Sequence, residues 1–233
     1  MSSLNGTIAI TGGAGGIGAA CARVVREAGG IPVSLDRSVN PDCDSEVVDV
    51  SDEAAMAQAF GRIGVLSGLV CIAGTNARGR VEDLAWEDWR RVMAVNVRGM
   101  MLAMKHAGLT DGAGVVLTGS VSAHIGCDGF TAYHTSKGAV LGLMRATSGE
   151  FAPRGIRVNA VSPGWVDTAF TDRGLAQLPN GEEIREKAGA AHIVGRIARP
   201  DEVAQAMLFM LSDSARFITG TELVVDGGFL RKR

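Results

Sequence analysis

Tyr133 and Lys137 could together transfer a proton, because residues four positions apart lie on one face of a helix. A free phenol has a pKa of about 10, which is too high for a base at neutral pH. An ammonium about 4 Å away contributes roughly 4 kcal/mol at an effective dielectric constant of about 20, or about three pKa units. We therefore predict that Tyr133, the only tyrosine of the chain, exchanges a proton with a substrate and that Lys137 lowers its pKa.

A tyrosine and a lysine at this spacing also occur by chance on exposed helices, so a third group is needed. Ser120 lies 13 residues before Tyr133 and follows an apolar run at 115–118 that predicts a strand. In a parallel sheet the carboxyl ends of the strands form the ligand crevice. A hydroxyl there could hold a substrate oxygen beside the phenol. Ser122 is the alternative for this role, and either serine could instead be a helix cap or turn residue.

A glycine-rich segment at 11–18, TGGAGGIG, follows the first predicted strand and begins the first predicted helix. It fits two spacings, GxxxGxG and GxGxxG, through Gly12, Gly16 and Gly18 or through Gly13, Gly15 and Gly18. With either spacing the backbone can approach a pyrophosphate, which the free N–H groups of the helix N-terminus would bind. The strand–loop–helix context indicates a dinucleotide site.

Asp36 ends the second predicted strand, 18 residues after Gly18. A carboxylate at this point accepts hydrogen bonds from the adenosine ribose hydroxyls and repels a 2′-phosphate, which favours NAD over NADP. Arg37 is the counter-argument, because an arginine here can bind a 2′-phosphate. We prefer NAD, with Arg37 as a solvated side chain over the adenine, and leave NADP open.

Short apolar runs alternate with helical patterns over most of the chain. The predicted strands are 7–11, 31–35, 46–50, 69–73, 115–118, 157–161 and 221–225. The predicted helices are 17–28, 52–63, 86–107, 131–150 and 201–211. Continuous apolar strands separated by helices indicate an α/β fold: one doubly wound, Rossmann-type parallel sheet of about seven strands with helices on both faces. We expect residues 1–233 to form one dinucleotide-binding and catalytic domain.

The composition excludes several classes of function. The net charge of -2 gives no sign of nucleic acid or membrane as a partner. The four cysteines and four histidines have no metal-ligand spacing, so no metal is predicted. No apolar run approaches the roughly 20 residues of a membrane span, and no signal peptide is recognisable. We therefore expect a cytoplasmic protein with a small-molecule substrate.

These motifs together resemble the classical short-chain dehydrogenase/reductase family over essentially the whole chain. The resemblance is carried by TGxxxGxG at 11–18, Asp36, Asp49-Val50, Asn96, Ser120, Tyr133, Lys137 and Ser162-Pro163-Gly164. It implies a catalytic tetrad of Asn96, Ser120, Tyr133 and Lys137, in which Asn96 holds a proton-relaying water. It also implies a homo-oligomer, either a tetramer or a dimer.

The resemblance further implies which residues meet the cofactor. Lys137 would bind the nicotinamide ribose, Asp49 and Val50 the adenine, and Thr168 the nicotinamide amide. The full predicted set is Gly12, Gly15, Gly16, Ile17, Gly18, Asp36, Arg37, Asp49, Val50, Ala73, Gly74, Tyr133, Lys137, Pro163, Gly164, Val166 and Thr168. One departure stands out: Cys71-Ile72 replaces the first two residues of the family's Asn-Asn-Ala-Gly. The first asparagine ties down the centre of the sheet, so that support is in doubt.

The predicted reaction is reversible hydride transfer between NAD(H) and a secondary alcohol or ketone. Ser122, His124, Cys127 and Trp165 are expected to line the substrate pocket, beneath a mobile lid at about 169–195. Arg173, Arg185 and Lys187 in that lid leave room for an anionic or carrier-bound substrate. Two alternatives stay open: an NADPH-dependent 3-oxoacyl-thioester reductase, and a non-catalytic cofactor-binding protein.

Overall fold

The apolar runs form a single parallel sheet in the computed structural model, which describes residues 4–176, 178 and 180–232. Its seven strands are β1 Thr7–Thr11, β2 Ile31–Asp36, β3 Asp44–Val47, β4 Val65–Cys71, β5 Gly108–Thr118, β6 Arg157–Pro163 and β7 Glu222–Val225. Their order is β3-β2-β1-β4-β5-β6-β7. All neighbouring strands are parallel, which confirms the predicted doubly wound fold.

Helices cover both faces of the sheet. They are α1 Gly16–Glu27, α2 Glu53–Ile63, α3 Trp86–Met93, α4 Gly99–His106, α5 Thr131–Phe151, α6 Ala169–Leu175, α7 Gly181–Ala191 and α8 Pro200–Leu211. On one face α1 and α8 bury Val25, Met207 and their neighbours. On the other, α2, α4 and α5 bury residues such as Phe60, Met100 and Met144. The burial of both faces explains why the central strands are apolar throughout.

The position of β1 determines where a ligand can bind. Thr11, the last residue of β1, is in register with Leu35 of β2 on one side and with Cys71 of β4 on the other. The strand order therefore reverses at β1, and the loops after β1 and β4 diverge from a common crevice. This switch point is where open parallel sheets bind their ligands.

The largest differences from the predicted elements concern strand ends. β3 begins two residues and ends three residues earlier than expected, because Val48 and Val50, although buried, lie beyond its ladder with β2. β4 and β5 begin earlier than predicted, since Val65 and Leu66 pair with Gly108 and Leu109 before an irregularity at Gly68. These early segments contain glycine and polar residues, which have no apolar periodicity to indicate a strand.

The long helix predicted at 86–107 is divided into three parts. A π-helical turn at Ala94–Arg98 separates α3 from α4, and Asn96 lies inside it. A π-turn inserts a residue into the helix, and such turns are frequent at functional sites. The stretch at 169–195, which we predict to act as a lid, contains α6 and α7.

Candidate active site

Tyr133 lies in the first turn of α5, with Ser120 close enough to its phenol to lower the phenol pKa by hydrogen bonding. Ser120 follows β5 and is the N-cap of a short 3-10 turn, and its Oγ accepts a hydrogen bond from the Ser122 N–H at 3.1 Å. The Ser120 hydroxyl can therefore cap this turn and contact the phenol at the same time. Ser122, the alternative for this position, contributes its backbone N–H to the same turn.

The ionisation of Tyr133 differs from the sequence-based expectation. Burial raises its pKa to about 12, and the hydrogen bond from Ser120 lowers it by a smaller amount. The Lys137 Nζ lies 5.6 Å from the centre of the phenol ring. The expected lowering of the Tyr133 pKa is therefore not found in the protein alone, because removal of the phenol from water has the larger effect.

Lys137 is buried, one helical turn beyond Tyr133. Its Nζ donates a hydrogen bond to the Thr118 carbonyl oxygen at 2.8 Å, and burial lowers its pKa to about 8. Beside it, the Thr118 Oγ1 is buried with no hydrogen-bond partner in the described part of the chain. Buried hydroxyls normally have a hydrogen-bond partner, so the Thr118 hydroxyl is available to a bound ligand.

Asn96 uses its side chain to join two elements. Its Oδ1 accepts from the Thr75 N–H at 2.7 Å, and its Nδ2 donates to the Thr75 carbonyl and to Ser136 Oγ, both at 2.9 Å. Ser136 in turn donates to the Tyr133 carbonyl at 2.7 Å. This chain connects the loop after β4 to the turn that carries the phenol. Both amide hydrogens are therefore occupied, and the expected water at Asn96 stays a prediction.

The glycines of the loop after β1 serve two different purposes. A Cβ at Gly12 would lie 2.6 Å from the Ala73 nitrogen, and one at Gly18 would lie 1.9 Å from the Gly12 oxygen, so these glycines are needed for close packing of the backbone. A Cβ at Gly15 would meet nothing within 4 Å, and Gly16, with φ +51°, faces Thr168. The loop is thus a cradle that is open at Gly15, and it fits the pyrophosphate of a dinucleotide.

Asp36 lies beside this loop at the end of β2. Its Oδ2 accepts from the Ala14 N–H at 3.1 Å and its Oδ1 from the Ser38 N–H at 3.2 Å, which leaves further lone pairs on both oxygens. The buried Asn40 donates from Nδ2 to the Gly13 carbonyl at 2.8 Å. Asn40 was not identified from the sequence because it belongs to no motif.

Asp49 and Val50, the residues expected to meet the adenine, lie in the segment after β3. Asp49 is exposed, and hydrogen bonds from Ser51, with a smaller contribution from the charge of Arg37, lower its pKa. Arg37 is exposed as well. Val50 is buried against Gly99 at the start of α4, where a Cβ on the glycine would lie 2.9 Å from a Val50 methyl group.

Thr11 holds the loop after β4, at the point where the family's first asparagine is absent. The backbone N–H groups of Ile72 and Ala73 both donate to the Thr11 carbonyl at 3.0 Å, and their distances to Thr11 Oγ1 are 3.2 and 3.4 Å. A hydrogen bond also joins Thr11 to the buried Cys71, whose thiol pKa is raised to about 12 by burial. The centre of the sheet is therefore held from β1, and Ala73 and Gly74 continue from this point into the crevice.

The segment after β6 is held by His192, which the sequence did not single out. The buried His192 accepts from the Trp165 N–H at 3.3 Å through Nε2, while its Nδ1 lies 2.7 Å from the Ala188 carbonyl. A Cβ on Gly164 would lie 2.7 Å from Nε2. Pro163 and Val166 are buried on either side. A glycine and a histidine 28 positions apart give no sequence signal.

The predicted pocket residues are not all gathered around the phenol. On α6 the Phe170 ring lies 6.2 Å from the Tyr133 ring. The His124 Nε2 is 2.8 Å from both carboxylate oxygens of Glu222. Cys127 is exposed and lines a surface cavity of about 360 Å³ to which none of the four tetrad residues contributes. Trp165 is half-buried.

Two of the three lid cations pair with carboxylates in or next to the lid. Arg185 binds Asp167 at 2.8 Å and also binds Asp172. Lys187 pairs with Glu183 at 2.5 Å. Both cations thus have carboxylate partners, and their role toward an anionic or carrier-bound substrate stays a prediction. No group of three or more possible metal ligands occurs among the described residues. None of the described helices has the length and apolar character needed to span a membrane.

Comparisons with known proteins agree with this geometry. A family profile described as Enoyl-(Acyl carrier protein) reductase matches residues 12–230. The chain is 36% identical to 2-(S)-hydroxypropyl-CoM dehydrogenase 3 of Xanthobacter autotrophicus, with 96% of each protein covered. It is 34% identical to cis-4-hydroxycyclohexanecarboxylate dehydrogenase of Sinomonas cyclohexanicum, with 94% of each covered.

A solved structure shows the same fold. The ligand-free aldohexose dehydrogenase of Thermoplasma acidophilum superposes with a TM-score of 0.92 at 31% identity, covering 98% of this chain and 95% of that one. The topology and the relatives together define an oxidoreductase with a Rossmann-type fold. The chain belongs to the short-chain dehydrogenase/reductase family.

Proposed function

We propose that the protein catalyses reversible hydride transfer between NAD(H) and a secondary alcohol or ketone, with Tyr133 as the proton donor and acceptor. The contact of Tyr133 with Ser120, one helical turn from the buried Lys137, carries this proposal. The three groups lie at the carboxyl edge of the sheet, beside the crevice into which the glycine loop opens. The named dehydrogenases among the relatives support a CH–OH substrate.

The bound nicotinamide dinucleotide would supply or accept the hydride. The chain's own groups would manage the proton. In the oxidation direction Tyr133 takes the proton of the alcohol while Ser120 donates a hydrogen bond to the same oxygen. In the reduction direction Tyr133 returns the proton to that oxygen. Because its pKa is raised in the protein alone, we infer that deprotonation of Tyr133 depends on positive charge near it, from Lys137 and from the oxidised cofactor.

The predicted binding residues would hold the cofactor along the crevice. Gly15, Gly16, Ile17 and Gly18 would meet the pyrophosphate, Asp36 the adenosine ribose, and Lys137 the nicotinamide ribose. Thr168 would meet the nicotinamide amide: a Cβ on Gly16 would lie 3.1 Å from a Thr168 methyl group, which supports a single continuous site. Residues 169–195 would act as the lid, with Phe170 closing over Tyr133.

NAD is the proposed cofactor because Asp36 presents a carboxylate at the ribose position. A 2′-phosphate there would be repelled. The test is the affinity of wild type and Asp36→Asn for NADH and NADPH, measured by fluorescence titration. We expect wild type to prefer NADH, and the variant to reduce that preference by at least about tenfold, the value of one charge-assisted interaction. Equal wild-type affinities would refute the preference.

A 3-oxoacyl-thioester reductase is the second candidate, since the matching family profile carries the name of an acyl-carrier-protein reductase. Coupled NAD(P)H absorbance assays separate the two, with cyclic and linear secondary alcohols and ketones in one series and an acetoacetyl thioester in the other. Turnover of the alcohols with NAD supports our proposal. Turnover of the thioester alone, with NADPH, would replace it.

Cytoplasmic location and a homotetramer or homodimer remain predictions, and light scattering tests the oligomeric state.

A further inference from the structure

Arg78 lies in the loop after β4, and its guanidinium carbon is 4.7 Å from the centre of the Phe130 ring. Phe130 is the N-cap of α5, three residues before Tyr133. Gly79 pairs with Phe130 in a parallel bridge, and its N–H donates to the Gly129 carbonyl at 3.0 Å. Backbone pairing and ring stacking thus fix Arg78 relative to the turn that carries the phenol.

The charge of Arg78 has no acidic partner among the residues that the structure describes. Neighbouring arginines do have partners. Arg80 binds Asp128 through two contacts, at 2.7 and 2.9 Å, and Arg91 binds Asp88 at 2.6 Å. Of the three arginines Arg78, Arg80 and Arg91, only Arg78 therefore lacks an acidic partner among the described residues.

The way in which Arg78 is held leaves its donors available. Stacking on an aromatic ring uses the flat face of the guanidinium, while its five N–H groups lie in the plane and point outward. This fork matches a carboxylate, sulfonate or phosphate through two parallel hydrogen bonds. Arg78 is exposed, so such a group can reach it.

We infer that Arg78 is a specificity residue that binds an anionic group of the substrate, at the end opposite the carbinol carbon. This inference rests on the proposed function, because it takes the alcohol to lie against Tyr133. Phe130 and Phe170 would flank the connecting apolar part of the substrate, since Phe130 carries the arginine and Phe170 lies over the phenol. The substrate class is thus a secondary alcohol or ketone with a distal carboxylate, sulfonate or phosphate.

Arg173 is the competing cation. It is exposed, three residues beyond Phe170 on α6, and has no ion pair among the described residues. Among the residues that the structure describes, no aromatic ring stacks against the Arg173 guanidinium, in contrast to that of Arg78. The experiment therefore includes both arginines.

The test compares cis-4-hydroxycyclohexanecarboxylate with cyclohexanol, which has the same ring without the charge. We expect Arg78→Met to lower kcat/KM for the carboxylate by about 10- to 100-fold, mainly through KM, because a hydrogen-bonded charge pair has this value. Cyclohexanol should change less than about twofold, and Arg78→Lys should retain part of the preference as a point charge. Arg80→Met is the matched control, because its charge already belongs to Asp128.

A binding measurement keeps the inference testable if neither alcohol is oxidised. Calorimetric titration of cyclohexanecarboxylate into the NADH-loaded enzyme should give binding that Arg78→Met loses and Arg80→Met keeps. Binding without turnover would then count against the proposed ring substrate and in favour of the anion site. Equal losses on both alcohols, a loss in Arg173→Met instead, or no binding of the carboxylate would each overturn the role of Arg78.

Discussion

Lys137 donates a hydrogen bond from Nζ to the carbonyl oxygen of Thr118 at 2.8 Å, which joins helix α5 to the last residue of strand β5. The bond places the ammonium at the edge of the crevice, where burial lowers its pKa to about 8. It also holds the turn of α5 that contains Tyr133. This contact thus links the helix that carries the phenol to the charge beside it.

The burial of Lys137 makes stability depend on pH. Because its pKa is lowered from 10.5 to about 8, the folded protein binds fewer protons than the unfolded chain between these values, and the free energy of unfolding rises with pH across that range. The full effect is about 3 kcal/mol at about 1.4 kcal/mol per pKa unit. Lys137→Met removes this group. At pH 7 we expect the variant to be more stable than wild type. Urea unfolding should show this difference in unfolding free energy shrink by up to about 3 kcal/mol as the pH rises to 10.5. A difference that does not change with pH would contradict the burial of the charge.

Substitution by alanine should change stability differently at two glycines of the loop after β1. Gly18→Ala places a Cβ 1.9 Å from the Gly12 oxygen, so we expect a loss of more than about 2 kcal/mol of unfolding free energy. Gly15→Ala meets nothing within 4 Å and has an extended backbone, so its stability should stay within about 0.5 kcal/mol of wild type.

The affinity of Gly15→Ala for NADH should nevertheless fall by about tenfold or more, as expected when one phosphate contact of about 1.4 kcal/mol is lost. Thermal unfolding and fluorescence titration separate the two effects. A Gly15→Ala variant that binds NADH as tightly as wild type would show that the cradle does not receive the pyrophosphate.

Most of the fold could be predicted from the sequence, because the central strands are continuously apolar and the helices between them are periodic. All seven strands and the doubly wound order follow from that alternation. The early halves of β4 and β5 could not be predicted, since glycines and polar residues around Gly68 and Gly112 hide the strand pattern. The π-turn around Asn96 could not be predicted either, because the pattern of a long helix does not reveal one inserted residue.

The motif residues of the candidate site could be proposed from the sequence because their types and spacing are distinctive. The residues that position them were not. Asn40, Ser136 and His192 each form a hydrogen bond with a group far away in sequence: a backbone carbonyl, a side-chain amide and a backbone N–H, respectively. Such contacts depend on tertiary placement and leave no local pattern. The raised pKa of Tyr133 was missed for the same reason, since burial is a property of the folded surroundings.

Ser136 should matter through the contacts it makes with Asn96 and the Tyr133 carbonyl. Ser136→Ala leaves an Asn96 amide hydrogen without its partner in a buried position, which costs about 1–3 kcal/mol of unfolding free energy. We also expect kcat to fall several-fold, because the turn of Tyr133 is less firmly held. Thr147→Ala is the matched control: its hydroxyl, in the same helix, bonds only to backbone carbonyls of Leu143 and Met144. Equal kcat values for the two variants would deny Ser136 a positioning role.

Proton transfer by Tyr133 is the central claim, and Tyr133→Phe tests it most directly because only the hydroxyl is removed. The measurement is single-turnover and steady-state oxidation of the best secondary alcohol substrate, together with NADH affinity by fluorescence. We predict that kcat falls by at least about 10²- to 10⁴-fold, the usual contribution of a general acid or base, while the Kd of NADH changes less than about twofold. A variant that binds NADH normally and still turns over at the wild-type rate would contradict the account.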